Sequence, residues 1–246
     1  MRPCLPLDTI CNARDLGGLV GANGRQVRHG RLYRSANPAL ASVADLDRLH
    51  ALGLDIVVDF RAADEKSAQE RAFAERFRWI PVPVLEGNMA MDTVLQHLRD
   101  KSPAHVEAFL LNVYREFPLR YADAFGDFLR HAEQGATLLY HCTAGKDRTG
   151  FASLLLLSAL GVAQDDILAN YLESNHWNRA FNEALLTRAA HAGVRAEVMM
   201  PLLEVRADYL AASLDTIERM HGSVARYVGD ALGVDVSRLR AHYLEA

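Results

Sequence analysis

Short apolar runs dominate the first part of the chain, and apolar residues at helical spacing dominate the rest. Residues 54–60 form a nearly continuous β-branched run, which is typical of a strand buried on both faces. Residues 136–140 form a shorter apolar run after a glycine, and residues 31–35 are a third predicted strand. This third strand follows an Asn23-Gly24 pair, which is a strong hairpin signal.

Helices are predicted where apolar residues recur every three or four positions between capping and terminating residues. The predicted helices span 42–52, 61–77, 104–114, 119–131, 149–160, 165–174 and 197–220. In the helix over 61–77, the acidic residues Glu65, Glu70 and Glu75 are expected to face solvent. Because strands and helices alternate, the sequence predicts an α/β fold with a mostly parallel central sheet flanked by helices.

One domain spanning residues 1–246 is predicted, because no linker rich in proline, glycine or serine divides the chain. Within it, residues 162–246 form a helical C-terminal part. Residues 85–118 include the least regular pattern of the chain. An insertion of this kind after a strand often lies over an active site as a lid, and a plain connecting helix is the alternative.

Composition and charge limit the kinds of protein that this chain can be. Half of the 246 residues are hydrophobic and 24% are charged, which favours a sizeable core over disorder. The net charge of −4 and the absence of a basic block argue against a nucleic-acid partner. The apolar run at 151–163 is too short for a transmembrane segment. No cluster has metal-ligand spacing, so neither a metal nor a cofactor is expected.

Cysteine usage and the N-terminus suggest a compartment. The three cysteines, at positions 4, 11 and 142, show no paired spacing, which is typical of free thiols in a reducing environment. No signal peptide is visible, so a cytoplasmic location is predicted, with export by another route left open. Nothing in the sequence specifies an oligomeric state.

The candidate chemistry lies between the strand at 136–140 and the helix at 149–160. Residues 140–150 are YHCTAGKDRTG, so Cys142 ends the strand and Arg148 precedes the helix. Backbone N–H groups and the helix dipole at such a junction attract an anion and also favour a cysteine thiolate. The planar guanidinium of Arg148 can hold two phosphoryl oxygens, which lysine cannot do. A thiolate, a set of backbone N–H groups and an arginine in one loop predict covalent phosphoryl transfer.

The segment HCTAGKDRTG resembles the HC-x5-R-[ST] loop of the cysteine-dependent tyrosine phosphatase superfamily. Its GKDR ending is similar to bacterial and fungal members that act on phosphotyrosine, phosphoserine or phosphothreonine and, in some cases, phosphoinositides. The segments RDLGG at 14–18, YRS at 33–35 and YLESN at 171–175 also resemble this family, as does the stretch from Asp59 to Glu65. The resemblance implies a tyrosine-phosphatase-like fold and a phosphorylated protein or a phosphoinositide as substrate.

Two other classes of function stay open at this stage. A rhodanese-type sulfurtransferase or an arsenate reductase also uses a cysteine on an anion-binding loop at a strand end. The spacing of the loop and the Arg148-Thr149 pair favour the phosphatase. The other class is a phospho-binding module that has lost turnover, and the intact Cys142 and Arg148 argue against it.

Roles can be assigned to the residues of the loop. Cys142 is the predicted nucleophile, and Arg148 binds the phosphoryl group. The N–H groups of residues 143–148 are expected to complete the binding site, in which the substrate-binding residues are Thr143, Ala144, Gly145, Lys146 and Thr149. The Thr149 hydroxyl is expected to bond to the sulfur, and His141 to brace the loop backbone. Lys146 is expected to add positive charge at the rim of the loop.

A general acid must protonate the leaving oxygen. The candidates are Asp59, Asp64, Asp92 and Asp147, and no WPD tripeptide is present. The resemblance implies Asp147, with Asp59 as the runner-up. The alternative for Asp147 is a plain ion pair with Arg148 or Lys146.

Two arginines in the N-terminal region are also candidates for the site. The resemblance implies that Arg14 and Arg34 lie near the active-site floor. The alternative for these two is a surface ion pair.

Overall fold

A computed structural model describes residues 4–39, 41–67, 70–85 and 91–246 of the chain. Five strands form one sheet: β1 (Arg14–Asp15), β2 (Leu32–Ser35), β3 (Ile56–Asp59), β4 (Trp79–Pro81) and β5 (Leu138–His141). Their order is β1-β2-β5-β3-β4, in which β1 is antiparallel to β2 and all other neighbours are parallel. The predicted mostly parallel sheet is therefore confirmed. Strand β4 lies at an edge, where the missing N–H of Pro81 is tolerated.

Alternating residues of the sheet pack against two hydrophobic layers. In β3, Ile56 and Val58 face the larger layer, whereas Val57 faces the smaller one. In β5, Leu138 and Tyr140 likewise face the larger layer. Side chains alternate between the two faces of a strand, so these buried runs hold helices on both sides.

The helices occupy most of the remaining described chain. They are α1 (Val43–Ala51), α2 (Arg71–Arg76), α3 (Met91–Leu98), α4 (Pro103–Arg120), α5 (Ala122–Glu133), α6 (Asp147–Ala159), α7 (Gln164–Trp177), α8 (Arg179–His191), α9 (Ala196–Leu203), α10 (Ala207–His221), α11 (Val224–Arg226) and α12 (Val236–Tyr243). No helix in the described ranges has the length and apolar character needed to cross a bilayer.

The prediction of one helix over 61–77 is wrong. A 3₁₀ turn at Ala63–Glu65 is followed by the short helix α2, and residues 68–69 lie outside the described ranges. The cause is a buried ion-pair network. The Arg61 guanidinium binds Asp59 at 2.9 Å and Glu70 at 2.7 Å, and all three side chains are almost fully buried. Glu70 therefore faces the interior, and not solvent as the helical pattern predicted.

The predicted helix over 197–220 is divided into α9 and α10. The Asn175 side chain accepts from Val205 N–H at 2.7 Å and donates to its carbonyl at 2.8 Å, which fixes the connection between the two helices. The C-terminal signals of this region are confirmed. Gly222 ends α10 with φ +77°, and the Ser223 hydroxyl caps α11.

The region from 85 to 118 holds α3 and most of α4. Residues 86–90 of the predicted lid lie outside the described ranges. In α3, Met91 and Val94 line the same cavity as Cys142. A lid role for this region stays a prediction.

Candidate active site

The central strand carries Cys142 to the carboxyl edge of the parallel sheet, where ligands bind in open α/β sheets. Residues 142–148, named here the cysteine loop, run from the end of β5 into the first turn of α6. Helix α6 begins at Asp147, two residues before the predicted start, so Arg148 and Thr149 lie in its first turn. A cavity of about 110 Å³ opens above the loop. Its lining includes Cys142, Thr143, Ala144, Lys146, Asp147 and Arg148, together with Glu65 and residues of α3, α8 and α9.

The carbonyls of the cysteine loop are held by donors outside it. Thr143 O accepts from Asn37 N (3.0 Å), Ala144 O from Asn12 and Asn178 Nδ2 (each 3.0 Å), and Gly145 O from Asn12 Nδ2 and Arg34 Nη2 (each 2.8 Å). In a trans peptide, the carbonyl and the following N–H point in opposite directions. The N–H groups of Ala144, Gly145 and Lys146 therefore point away from these donors, as an anion-binding loop requires.

Gly145 is the tightest point of the loop. Its φ is +63°, and a Cβ at this position would lie 2.2 Å from the backbone oxygen of Ser35. Both features exclude a side chain, because the left-handed conformation is strained and the neighbouring backbone cannot move away easily.

Replacing Gly145 with alanine is expected to lower the free energy of unfolding by about 2–4 kcal/mol and to reduce turnover. Urea unfolding followed by fluorescence would measure the loss. Gly193→Ala is the matched control, since Gly193 has φ +76° and a Cβ there would meet no atom within 4 Å. The control is expected to lose only the conformational part, about 1–2 kcal/mol. Equal losses in both variants would contradict the clash with Ser35.

Arg14 and Arg34 lie beneath the cysteine loop, and both are fully buried. Arg34 donates to Gly145 O at 2.8 Å and to Asn170 Oδ1 at 2.9 Å. Arg14 donates to the Asn170 carbonyl at 2.7 Å. Burial lowers the pKa of both arginines. The two arginines thus lie at the floor of the loop, and the alternative of a surface ion pair is wrong.

Arg148 is held in place by Glu65. Its Nη1 and Nη2 donate to the two carboxylate oxygens at 2.6 and 2.8 Å, and the Thr143 hydroxyl donates to the same carboxylate at 2.6 Å. Burial would raise the pKa of Glu65, but the hydrogen bonds and charge of Arg148 hold it below its ordinary value. The expectation that Glu65 faces solvent is therefore wrong. The 3₁₀ turn brings the carboxylate back over the loop, where it also accepts from Ala62 N–H.

Asp147 lies at the side of the cavity between two donors. Lys146 Nζ is 3.0 Å from Oδ2, and the Tyr114 hydroxyl donates to Oδ1 at 2.8 Å. Arg148 pairs with Glu65, so of the two alternative ion pairs for Asp147 the one with Arg148 is not formed and the one with Lys146 is. The Asp147 side chain keeps 25% exposure and lines the cavity, so it can reach a bound ester.

Lys146, which was expected to add positive charge at the rim of the loop, lines the cavity but is already engaged by other residues. Its residue is 5% exposed, and Nζ donates to Leu202 O at 2.8 Å as well as contacting Asp147. The last carbonyls of a helix lack intrahelical donors. Lys146 supplies such a donor at the end of α9, and the Asn182 side chain supplies another to Leu203 O at 3.1 Å.

Asp59 is poorly placed to be the acid. It is fully buried, and Arg61 donates to both of its oxygens at 2.9–3.0 Å. Although burial opposes ionisation, the hydrogen bonds and positive charge of Arg61 hold the pKa of Asp59 below its ordinary value. Arg61 thus occupies both oxygens of Asp59, and Asp59 is not among the residues that line the cavity with Cys142.

His141 directly precedes the nucleophile, and Thr149 directly follows the cysteine loop. The ring Nδ1 of His141 lies 3.2 Å from Cys142 O and 3.7 Å from Asp59, which agrees with a bracing role. Burial lowers the pKa of His141 to about 4, so the ring is neutral at neutral pH. The Thr149 hydroxyl is buried and has no hydrogen-bond partner in the described part of the chain. The predicted bond from Thr149 to the sulfur is therefore not formed here.

Several residues that hold the site were not identified from the sequence. Asn12, at φ +56°, supports two loop carbonyls, and Asn178 supports one. Tyr114 belongs to an amphipathic helix, in which nothing distinguished its hydroxyl from ordinary packing. Among the described residues, no group of three or more His, Cys, Asp or Glu side chains is placed to hold a metal ion.

Comparison with known proteins gives the family. Residues 5–245 match the model of the "Tyrosine phosphatase family". The chain belongs to this tyrosine phosphatase family. A Cupriavidus necator protein provisionally named tyrosine-protein phosphatase is 64% identical over 240 residues, covering 98% of this chain and 88% of that protein. The phosphatase is also similar to the triple specificity protein phosphatase PtpB of Mycobacterium tuberculosis, at 29% identity over 89% of this chain and 91% of PtpB.

A third relative is the tyrosine-protein phosphatase of Nostoc commune. It is 32% identical over 200 residues, which cover 75% of this chain and 66% of that protein. The family match and these relatives support phosphatase activity on a phosphorylated substrate. They favour the phosphatase over the sulfurtransferase and arsenate-reductase alternatives that the loop alone left open.

Proposed function

We propose that this phosphatase hydrolyses phosphate monoesters, above all phosphotyrosine, through a cysteinyl-phosphate intermediate formed on Cys142. One observation carries the proposal. Cys142, Arg148 and Asp147 line a single cavity at the carboxyl edge of the sheet, and donors outside the loop hold its carbonyls, which leaves its N–H groups for the phosphoryl oxygens. These are the nucleophile, cation, acid and oxyanion donors that the reaction needs.

The first step transfers the phosphoryl group to sulfur. The Cys142 thiolate attacks phosphorus and forms the S–P bond while the P–O bond to the leaving group breaks. The N–H groups of the loop and Arg148 stabilise the phosphoryl oxygens, and the positive charge of Arg34 below the loop adds to this field. Asp147 gives its proton to the leaving oxygen and becomes a carboxylate.

The second step regenerates the enzyme. The Asp147 carboxylate takes a proton from water as the water oxygen attacks phosphorus. The S–P bond then breaks, and inorganic phosphate and the Cys142 thiolate are released. The same carboxyl group thus acts as acid and then as base, and the proton count is restored after each cycle.

The substrate range is proposed to include phosphoserine, phosphothreonine and phosphoinositides. The support is the GKDR ending of the loop and the similarity to PtpB, whose name gives it triple specificity. Lys146 is already engaged by Asp147 and Leu202, so a second phosphate would have to compete for its ammonium group. The chain is proposed to act as one domain in the cytoplasm.

Metal-free turnover of para-nitrophenyl phosphate tests the proposed activity. We expect phosphate release in the presence of a chelator, inhibition by vanadate, and no comparable turnover of thiosulfate or arsenate. A preference for thiosulfate or arsenate would contradict the phosphatase assignment. A panel of phosphotyrosine, phosphoserine and phosphoinositide substrates would then define the range.

The acid assignment predicts a dependence on the leaving group. Asp147→Asn is expected to lower kcat/KM by about 10²–10⁴-fold on phosphotyrosine or alkyl phosphates, whose leaving oxygen needs a proton. The loss should be much smaller on aryl phosphates with an acidic phenol. Asp59→Asn is the control, because its buried ion pair predicts reduced stability and similar losses on every substrate. The reverse pattern would move the acid from Asp147 to Asp59.

A further inference from the structure

A pair of buried tyrosines lies behind Asp147. The Tyr114 hydroxyl, from α4, is 2.8 Å from Asp147 Oδ1 and 2.6 Å from the hydroxyl of Tyr171, from α7. Both tyrosines are at most 1% exposed. A chain of three polar groups therefore runs from the cavity wall into the core, where no water competes for the hydrogen bonds.

The number of protons that these groups carry fixes which one donates in each hydrogen bond. A phenol has one proton to donate. When Asp147 is ionised, it can only accept, so Tyr114 must donate to it. Tyr171 must then donate to Tyr114. Burial raises the pKa of both tyrosines well above the ordinary value, so both stay neutral donors.

The surrounding structure fixes this arrangement. Gly150 of α6 leaves room for the Tyr171 ring, since a Cβ there would lie 2.7 Å from it. The Ser213 hydroxyl of α10 donates to the Tyr114 carbonyl at 2.6 Å. The Tyr114 ring packs against Phe117 and Tyr209, with ring centroids 5.0 and 5.5 Å away. The Tyr114 hydroxyl is thus positioned by four helices and not by Asp147 alone.

We propose that Tyr114 is a positioning residue for the catalytic acid, and that Tyr171 fixes the direction of the Tyr114 hydrogen bond. This inference rests on the proposed role of Asp147. The Tyr114 bond holds the carboxyl group against the cavity wall and stabilises the carboxylate that forms when the leaving oxygen takes its proton. Charged and titratable groups that face Asp147 or line a cavity with it are Cys142, Lys146 and Arg148 from its own segment, Glu65 from the 3₁₀ turn, Tyr114, Glu116 and Arg120 from α4, Tyr171 from α7 and Tyr209 from α10.

Tyr114→Phe removes the hydroxyl and keeps the ring. At the pH optimum, we expect kcat/KM on phosphotyrosine to fall about ten- to thirty-fold, which is the effect of one hydrogen bond to a charged group. The loss should be smaller on an aryl phosphate with an acidic phenol. The alkaline limb of the pH–rate profile should move to higher pH by about one unit, because the carboxylate has lost a donor.

Tyr209→Phe is the matched control. Tyr209 packs on the same ring, but its hydroxyl donates to Pro201 O at 3.2 Å and not to Asp147. The control should therefore keep the wild-type pH profile and leaving-group dependence. Tyr171→Phe should show the Tyr114→Phe changes in weaker form, since Tyr114 can still donate to Asp147. Thermal unfolding of all three variants would separate these effects from a loss of fold.

A double variant separates this inference from the proposed function. In the Asp147→Asn background, Tyr114→Phe should have little further effect on the leaving-group dependence, because both act through one group. If Asp147→Asn shows the leaving-group dependence but Tyr114→Phe matches Tyr209→Phe, the positioning role is wrong and the acid assignment stands. If Asp147→Asn shows no such dependence, the acid assignment itself fails. A full additional loss from Tyr114→Phe in that background would also contradict the positioning role.

Discussion

Replacing Cys142 with serine is expected to lower kcat by about 10⁴–10⁶-fold, as the loss of a catalytic nucleophile does in other enzymes. The serine hydroxyl is a weaker nucleophile than a thiolate, because it keeps its proton at neutral pH. Phosphate affinity should be retained, since the binding groups are the backbone N–H groups of the loop and the Arg148 guanidinium. Steady-state turnover of para-nitrophenyl phosphate and calorimetric titration with phosphotyrosine would measure the two quantities separately.

Trapping the cysteinyl-phosphate intermediate would test the role of Cys142 directly. Rapid denaturation of the wild-type enzyme during turnover should leave a phosphoryl group on Cys142, and the serine variant should not accumulate one. Cys4→Ser is the matched control, because the Cys4 thiol donates to Ala13 O at 2.8 Å and a serine hydroxyl can do the same. Turnover by the Cys142→Ser variant above about one per cent of wild type would contradict covalent catalysis by the thiolate.

The parts of the site that the sequence predicted correctly are those encoded locally. The strand carrying Cys142, the loop and the start of α6 lie in one continuous segment, so apolar pattern and spacing were enough to place them. The same applies to β3, whose β-branched run predicted a buried parallel strand. For Arg14 and Arg34, the resemblance to a family was needed, because two neighbouring arginines on a short strand pair are equally typical of a protein surface.

The parts that were missed depend on contacts between distant segments. Glu65 follows a helical pattern with a polar face, yet Arg148, 83 residues later, draws its carboxylate into the site. Tyr114 has the apolar spacing of a core residue, and only the packing of α4, α6 and α7 places its hydroxyl beside Asp147. The division between α9 and α10 likewise depends on Asn175 of another helix. Tertiary partners override local periodicity at these positions, and they are concentrated around the site.

The Glu65–Arg148 pair explains why replacing Arg148 is expected to reduce turnover strongly. The two oxygens of Glu65 match the two terminal nitrogens of Arg148, and Phe60 O and Val84 O accept from the same Nη1 at 3.2 and 3.3 Å. A lysine ammonium is one point charge and cannot make this bidentate contact while also holding a phosphoryl group. The contact with Glu65 and the contact with the phosphoryl group both depend on the planar guanidinium.

Arg148→Lys is therefore expected to cost about 3–4 kcal/mol in the transition state, or about 10²–10³-fold in kcat/KM, by analogy with the loss of an oxyanion donor. Phosphate affinity should fall as well, in contrast to Cys142→Ser. Glu65→Gln is the companion variant, since it keeps Arg148 and removes only the charge that orients it, so a smaller loss of about tenfold is expected. The comparison uses kcat/KM on phosphotyrosine and calorimetric phosphate binding for both variants. A loss below about tenfold for Arg148→Lys, or one no larger than that of Glu65→Gln, would mean that Arg148 is not the group that binds the phosphoryl oxygens.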